Sequence, residues 1–338
     1  MIASGTVVQY TRYGGADVLE LAPLSVDAPG AGEVAVAIRA AGVNPVDWKV
    51  RSGWRSSGRP LEGVARLGLD AAGTVIASGE GVTAFAPGDD VIGFDLPWSY
   101  ATHVVASAAL FTAKPAGVGF EEGAAIGVPV GTAYQVLSSL GLRNGETALV
   151  HAGAGAVGQA VIQLAVLRGA RVIATAGPSN QSLLAELGAE PVTYGDGLLD
   201  RLRALAPRGV DLVVEGAGTQ EALEASLALV HDRRRIGEIV NRRWREEYGI
   251  RAWSASAPGY LSDEEIRVRH EAMPLAAALA SEGRLRLTIA RRMPLASAAE
   301  AHRLSETGHA QGKTALVPSH APSDEPSETD IRESRGEP

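Results

Sequence analysis

From residue 1 to about 120, short apolar runs alternate with glycine and proline turns. Glu33-Val-Ala-Val-Ala-Ile-Arg39, Gly73-Thr-Val-Ile-Ala77 and Asp90-Val-Ile-Gly-Phe94 are the clearest, the last entered through the turn Ala86-Pro-Gly-Asp89. Apolar runs of that length between turn residues predict strands, so this region reads as a β-rich domain with a partly closed sheet. Beyond Glu121 the texture changes. A helix is expected around Ala133–Leu140, and strands follow at Thr147 to His151, Arg171–Ala176, Pro191–Tyr194, Val210–Val214 and Arg235–Val240. Strands separated by helical stretches imply a parallel sheet covered on both faces. After about residue 266 a long helix, a strand at Leu285–Ile289 and the run Gly312–Pro318 return to mixed α and β character. Ser319 to Pro338 is rich in Pro, Ser, Asp and Glu. It lacks the apolar surface to offset its ordering entropy and is expected to be disordered. No internal repeat is visible.

One junction carries chemistry. The strand ending at His151 runs into Gly153-Ala-Gly155-Ala156-Val157-Gly158, and an alanine-rich apolar helix starts at once. Glycines at that spacing permit a tight turn, let backbone approach a pyrophosphate and let the helix pack closely on its strand. The helix N-terminus offers unpaired N–H groups and the positive end of its dipole to phosphates. A dinucleotide site is the reading, against a structural strand–helix–strand unit with an empty crevice. An NAD site places an acid about 20 residues past the glycines, on the ribose 2′-hydroxyl. Here that neighbourhood is Thr175-Ala-Gly177-Pro-Ser179-Asn180-Gln181-Ser182, and the next acid is Glu186. No carboxylate opposes a 2′-phosphate. Gly177 gives room, Ser179 and Asn180 can donate, and Ser179 is a candidate N-cap for a helix through Leu187. The loop holds no Lys or Arg. NADPH is the expected cofactor.

Composition bounds the rest. A chain of 338 residues suggests two domains. With 21% charged and 46% hydrophobic residues it is ordinary for a soluble protein. No apolar run approaches the 18 or so residues of a membrane span, and no signal peptide opens the chain. A net charge of −8 argues against a nucleic-acid partner. The Arg-rich run from Arg233 to Arg245 reads as a solvated turn and loop. The absence of cysteine removes disulfides, thiol nucleophiles and cysteine zinc cages, and suits a reducing cytoplasm. His151 reads as structural, and the other histidines lack metal-ligand spacing. Ser138-Ser139 has no nucleophile-elbow context, so hydrolase chemistry is not indicated.

The glycine turn together with Gly42-Val-Asn-Pro-Val-Asp47, Gly68-Leu-Asp-Ala-Ala-Gly73, Gly123-Ala-Ala-Ile-Gly-Val-Pro129, Gly131-Thr-Ala-Tyr134, Gly312-Lys313 and Leu316-Val-Pro318 resembles the medium-chain dehydrogenase/reductase superfamily. The likeness is to its zinc-free quinone oxidoreductase (zeta-crystallin-like) branch and covers residues 1 to about 318. It implies an α/β chain with a GroES-like β-rich catalytic domain (residues 1–122 and 267–318), a doubly wound Rossmann NADP-binding domain (residues 123–266) and a disordered tail (residues 319–338). Zinc-dependent members carry Gly-His-Glu where Gly68-Leu69-Asp70 stands, and a Cys near Asn44, so the expected metal complement is none. The implied activity is hydride transfer to a small-molecule quinone or α,β-unsaturated carbonyl, in a cytoplasmic homodimer. The alternatives are one-electron quinone reduction and a dinucleotide-binding structural or redox-sensing protein without turnover.

The resemblance also assigns roles. Asn44 matches an asparagine beside the nicotinamide, its competing role being a turn before Pro45. Thr132 matches a nicotinamide contact, with helix capping as the competitor, and Tyr194 an aromatic near the adenine. Lys313 follows the Gly312 motif on the cofactor side. Lys49 replaces a pocket tyrosine and Arg55 appears in place of another. Lys49 could donate to a developing enolate or be solvated, and Asp47 could hold it or cap a turn. Gln181 stands where several relatives direct a lysine at the 2′-phosphate, which weakens the NADPH reading. Trp253 and Tyr260 fall in the family's substrate loop, with burial as the rival role.

Overall fold

The computed structural model describes residues 1–241, 243–253, 261–308 and 311–319. Tyr260 and the expected tail beyond Ser319 lie outside them. The chain forms two compact units, the first built from residues 1–127, 289–310 and 314 onward, the second from 128–288 and 311–313.

The first unit opens with strands β1 (Ala3–Tyr10), β2 (Glu20–Val26) and β3 (Glu33–Val43) and helix α1 (Pro45–Arg51). Strands β4 (Ala65–Arg66), β5 (Asp70–Ser78), β6 (Asp90–Gly93), β7 (His103–Ser107) and β8 (Phe111–Ala113) follow. Helix α2 (Phe120–Ser139) starts here. The unit is antiparallel, as expected of strands joined by short turns. Strands β3 and β5 approach closely at Gly73, where a β-carbon would stand 2.1 Å from the Ala37 carbonyl oxygen on β3. Val7, Val34, Ile38, Val91, Leu96 and Tyr100 form its core, all at most 1% exposed.

The second unit contains β9 (Thr147–Val150), α3 (Ala156–Leu167), β10 (Arg171–Ala176), α4 (Gln181–Glu186), β11 (Glu190–Thr193) and α5 (Leu198–Leu205). Its second half contains β12 (Leu212–Glu215), α6 (Gln220–Leu229), β13 (Ile236–Glu238), α7 (Trp244–Tyr248), β14 (Arg251–Ala252) and α8 (Asp263–Ser281). The strands are all parallel and run in the order β11-β10-β9-β12-β13-β14. Numbered from β9, that is the 3-2-1-4-5-6 order of a doubly wound dinucleotide fold, in which ligands sit outside the carboxyl ends of the strands where the order reverses. The reversal lies between β9 and β12. The chain then returns to the first unit as β15 (Ile289–Pro294), α9 (Ala298–Glu306) and β16 (Lys313–Val317), β16 pairing antiparallel with β3.

Three expectations need correction. The boundary placed after residue 266 lies at Thr288, because α8 and the segment behind it are tied to the parallel sheet's helices. Arg269 donates to the Gln135 amide oxygen, Gln163 exchanges hydrogen bonds with the Arg286 backbone, and the Thr288 N–H donates to Gln159. Leu285–Ile289 is not a strand, since pairing geometry begins only at Ile289. The Arg233–Arg245 run is not simply solvated: Arg235 is clamped bidentate on Glu146 at 2.7 and 2.9 Å and also caps the Leu140 and Gly141 carbonyls.

Candidate functional site

In the second unit, Gly155 is the N-cap of α3, so the glycine turn delivers the chain directly into the helix's first turn. The three glycines differ in what surrounds them. A β-carbon on Gly158 would lie 2.3 Å from the Ala152 carbonyl oxygen and 2.7 Å from Gly153 Cα; one on Gly153 would meet side chains of Ala174, Leu184 and Ile162 at 3.1–3.3 Å. One on Gly155 would find nothing nearer than 3.5 Å. Gly158 is therefore a helix–turn packing position, and Gly155 leaves an open approach to backbone at the helix N-terminus. Ala156 and Val157 occupy the first turn of α3 and so contribute backbone N–H groups there. Gly312 bridges to Gly155, its N–H donating to the Ala154 carbonyl, while the N–H of the buried Lys313 donates to Thr288. It is Gly312, the neighbour of Lys313, whose backbone meets the glycine turn.

The end of β10 carries the other cofactor candidates. Gly177 caps a short 3₁₀ turn, Pro178–Asn180, and the half-exposed Tyr194 lays its hydroxyl 3.3 Å from where a Gly177 β-carbon would be. Ser179 is not the cap of α4. It sits inside the 3₁₀ turn, Asn180 occupies the N-cap position, and α4 ends at Glu186. The Gln181 amide donates to the carbonyls of Ala176 and Gly177, folding the loop back on itself. Thr132 lies deep inside α2 and is 7% exposed, so capping is not its role. Trp253 is buried and borders a cavity of about 340 Å³ lined also by Arg245, Ile250, Arg251 and Glu265. Its indole N–H donates to Glu265.

In the first unit the candidates fall into a buried polar chain that sequence spacing does not reveal. Asn44 is the N-cap of α1 with Pro45 at the first helical position, an arrangement that fixes φ where no N–H is needed. The Asp47 carboxylate accepts the Asn44 backbone N–H and the Tyr100 hydroxyl, each at 2.8 Å. Asp47 thus closes a capping box at the first turn of α1. The Asn44 amide donates to Asp70 at 2.9 Å and makes a longer 3.4 Å contact with the Gly42 carbonyl. Tyr100 meets His302 Nε2 at 3.3 Å, and the fully buried Arg51 donates to Glu306 at 2.5 Å. Burial, then the Asp47 charge, holds the Tyr100 hydroxyl well above its usual range. Lys49 points its ammonium at two indoles, 5.0 Å from the Trp54 ring and 5.7 Å from Trp48. Burial lowers the neighbouring Arg55 guanidinium, against the attraction of Asp47 and Asp95.

The sequence has no cysteine, Asp70 is engaged by the Asn44 amide, and among the described residues no three His, Asp or Glu side chains gather as a ligand set.

Two histidines give the fold a pH signature. Burial lowers His151 to about 4, and burial with the nearby Arg51 charge lowers His302 to about 3. The folded protein therefore refuses protons that the unfolded chain accepts below about pH 6.5, and stability falls as pH drops. Glu238 acts oppositely: burial and then Glu215 push it up to about 10, so stability falls as pH rises above the ordinary carboxylate range. Each group contributes about 1.4 kcal/mol per pH unit inside its window. The histidines and the acid therefore act in opposite directions, His151 and His302 lowering stability on the acid side and Glu238 on the alkaline side. Denaturant melts from pH 5 to 9 should show a maximum near pH 6.5; a curve still rising to pH 9 contradicts this assignment.

Residues 30–139 match the alcohol dehydrogenase GroES-like domain family, and residues 187–316 the zinc-binding dehydrogenase family. Quinone oxidoreductase of Sus scrofa is 32% identical over 325 residues, which are 91% of this chain and 95% of that protein. Phthioceranic/hydroxyphthioceranic acid synthase of Mycobacterium tuberculosis is 37% identical over 246 residues; these are 71% of this chain but 11% of that much longer protein. The crystal structure of Escherichia coli quinone oxidoreductase complexed with NADPH aligns with a TM-score of 0.78 at 26% identity, covering 93% of this chain and 100% of that one. Among the described residues no helix is long and apolar enough to cross a membrane.

Proposed function

Because the chain belongs to the quinone oxidoreductase branch of the medium-chain dehydrogenase/reductase superfamily and is an oxidoreductase of that group, we propose that it is a zinc-independent, NADPH-dependent reductase of quinones or α,β-unsaturated carbonyls. The observation that carries the proposal is the open Gly155 approach at the N-terminus of α3, on a sheet of dinucleotide-binding order. The bound nicotinamide supplies a hydride.

The protein's part is to bind, orient and stabilise charge. Backbone N–H groups of Ala156 and Val157 receive the pyrophosphate, and Ser179 and Asn180 donate to the 2′-phosphate. Tyr194 covers the adenine side at Gly177, and Thr132 and Lys313 complete the cofactor contacts. Hydride addition at the β-carbon of an enone moves the alkene electron pair onto the carbonyl oxygen, and a proton at the α-carbon completes the product. Donors aimed at that oxygen stabilise the transition state more than the ground state. Asn44 is the proposed donor, its longer Gly42 contact yielding to the better acceptor; Asp47 holds the Asn44 backbone, and Lys49 is the second donor. The enzyme acts as a cytoplasmic homodimer in this proposal. NADPH-dependent saturation of one enone or quinone from a panel of alkenals, cyclic enones, enoyl thioesters and quinones tests it, with semiquinone formation marking one-electron chemistry instead.

A second reading, dinucleotide binding without turnover, draws support from the engagement of Asn44 with Asp70 and of Lys49 with indoles. Tight NADPH binding with no oxidation across that panel would select it. Cofactor choice has its own test. Lysine at position 181 replaces an amide that only folds the loop back with a cation within reach of a 2′-phosphate. A charge-assisted hydrogen bond is worth about 1.5–3 kcal/mol, so Gln181→Lys should raise the NADPH-to-NADH affinity ratio roughly tenfold to a hundredfold. An unchanged ratio in paired titrations places the 2′-phosphate elsewhere.

A further inference from the structure

At the carboxyl end of the parallel sheet, adjacent strands present a row of fully buried polar side chains. In spatial order they are Thr175 on β10, His151 after β9, Glu215 on β12 and Glu238 on β13. Glu215 and Glu238 are register partners on neighbouring strands, and both are 0% exposed. Side chains at paired positions of parallel strands project to the same side, so two carboxyl groups share one water-free space. Each carboxyl also ties down the loop that leaves its own strand. Glu215 accepts the N–H groups of Ala217 and Gly218, and Glu238 those of Val240 and Asn241.

One oxygen breaks this pattern. Glu238 Oε2 is buried and receives no donor. A buried carboxylate oxygen without a donor, beside a second carboxylate, costs several kcal/mol if both groups are ionised. Like charges at that range cannot both persist, and the usual resolution is one proton held between two acids. Among the described residues the surrounding groups offer no other neutralisation. His151, on the far side of Glu215, is itself buried with Nε2 unpartnered. On the β14 side, Arg251 donates to the Ser139 carbonyl and stacks on Trp253, 4.6 Å from the ring. From α2, apolar Val136 and Leu140 pack against Gly237.

We propose that Glu215 and Glu238 share a single proton and that this acid pair is a positioning device, clasping the loops Gly216–Gly218 and Ile239–Asn241 together at the strand ends where dinucleotide binds. The inference rests on the proposed dinucleotide reading. Two loops are held by one short bridge between neighbouring strands, and the bridge exists only while the proton is present. Loss of the proton places two buried charges against each other and drives the loops apart.

Full-length protein is examined by infrared difference spectroscopy between pH 7 and pH 10 and by fluorescence titration with NADPH at both pH values. Wild type should show the carbonyl stretch of a protonated, water-excluded carboxylic acid at pH 7 and lose about half of it by pH 10. Glu238→Gln keeps a donor towards Glu215 and removes the proton equilibrium. It should lack the band and bind NADPH as wild type does at pH 7. Wild type should weaken at pH 10 about twofold more than the variant does, as expected when about half of the pairs have lost the proton. Glu238→Ala, which leaves Glu215 without its partner, should weaken binding already at pH 7. Absence of the band, its survival in Glu238→Gln, or equal weakening of both proteins at pH 10 overturns the proposal while leaving the cofactor reading intact. Wild type that binds neither NADPH nor NADH at pH 7 overturns both, whatever the spectrum shows.

Discussion

Gly158→Ala should abolish dinucleotide binding and lower the stability of the second unit, whereas Gly155→Ala should weaken binding with stability unchanged. The two residues stand three positions apart in one motif, yet their surroundings make opposite demands. At Gly158 the added methyl meets backbone, 2.3 Å from the Ala152 carbonyl oxygen and 2.7 Å from Gly153 Cα, so no rotamer change relieves it. Overpacking commonly costs about 1–3 kcal/mol, and a backbone clash belongs at or above the top of that range. The turn must open, and the helix N-terminus moves off the position where it can serve a phosphate. At Gly155 a methyl has room within the protein, its nearest neighbour being the Ala152 oxygen at 3.5 Å. Any loss there reports on what approaches from outside. One or two lost charge-assisted hydrogen bonds, at about 1.5–3 kcal/mol each, correspond to a tenfold weakening or more. Thermal melts paired with NADPH titration separate the cases. A Gly155→Ala protein with normal melting and normal affinity would remove the glycine turn from the cofactor site.

The second large effect concerns Asn44. Removing a donor aimed at a developing oxyanion typically lowers turnover about 10²–10³-fold. Asn44→Ala should therefore depress kcat by that order, with NADPH affinity held within about tenfold if the amide serves substrate. The structure adds a second consequence. The Asn44 amide is a donor to the fully buried Asp70 carboxylate, and losing a donor to a buried charged acceptor costs about 1–3 kcal/mol. Stability should therefore fall together with kcat. If NADPH affinity collapses while kcat holds, Asn44 anchors the cofactor. A stability loss with normal kinetics makes it a pillar of the buried chain and nothing more.

The features legible in the sequence are those set by local backbone demands. A glycine turn between an apolar strand and an apolar helix is a contiguous requirement, so Gly153, Gly155 and Gly158 announce their roles without knowledge of the rest. The alternation beyond Glu121 likewise reveals the parallel sheet. The polar chain of the first unit is invisible because its members meet through topology: Asn44 finds Asp70 26 residues away, and Arg51 finds Glu306 255 residues away. Nothing local marks Glu215 as buried either. An acid closing an apolar strand reads as the polar end of that strand, and only the pairing of β12 with β13 shows that a second acid closes the space beside it. The boundary at Thr288 escaped for a related reason. Helix α8 has the texture of any surface helix, and the Gln159 and Gln163 amides that tie the segment behind it sit more than 100 residues earlier.

The pairing of β16 with β3 has a consequence for the order in which the protein acquires its parts during synthesis. Val43, immediately before Asn44, takes Thr314 as its partner, and Gly42 and Ala41 take Ala315 and Leu316. At about 5–20 residues per second a ribosome needs tens of seconds to reach those partners after β3 emerges. Nearly all of the parallel-sheet unit, 128–288, is complete in sequence before then. The nascent chain therefore carries a nearly finished parallel-sheet unit while the strand leading into Asn44 still has an open edge. The first part of the chain to be made is the last to close, and the residue proposed to face substrate is set in place only by the final strand.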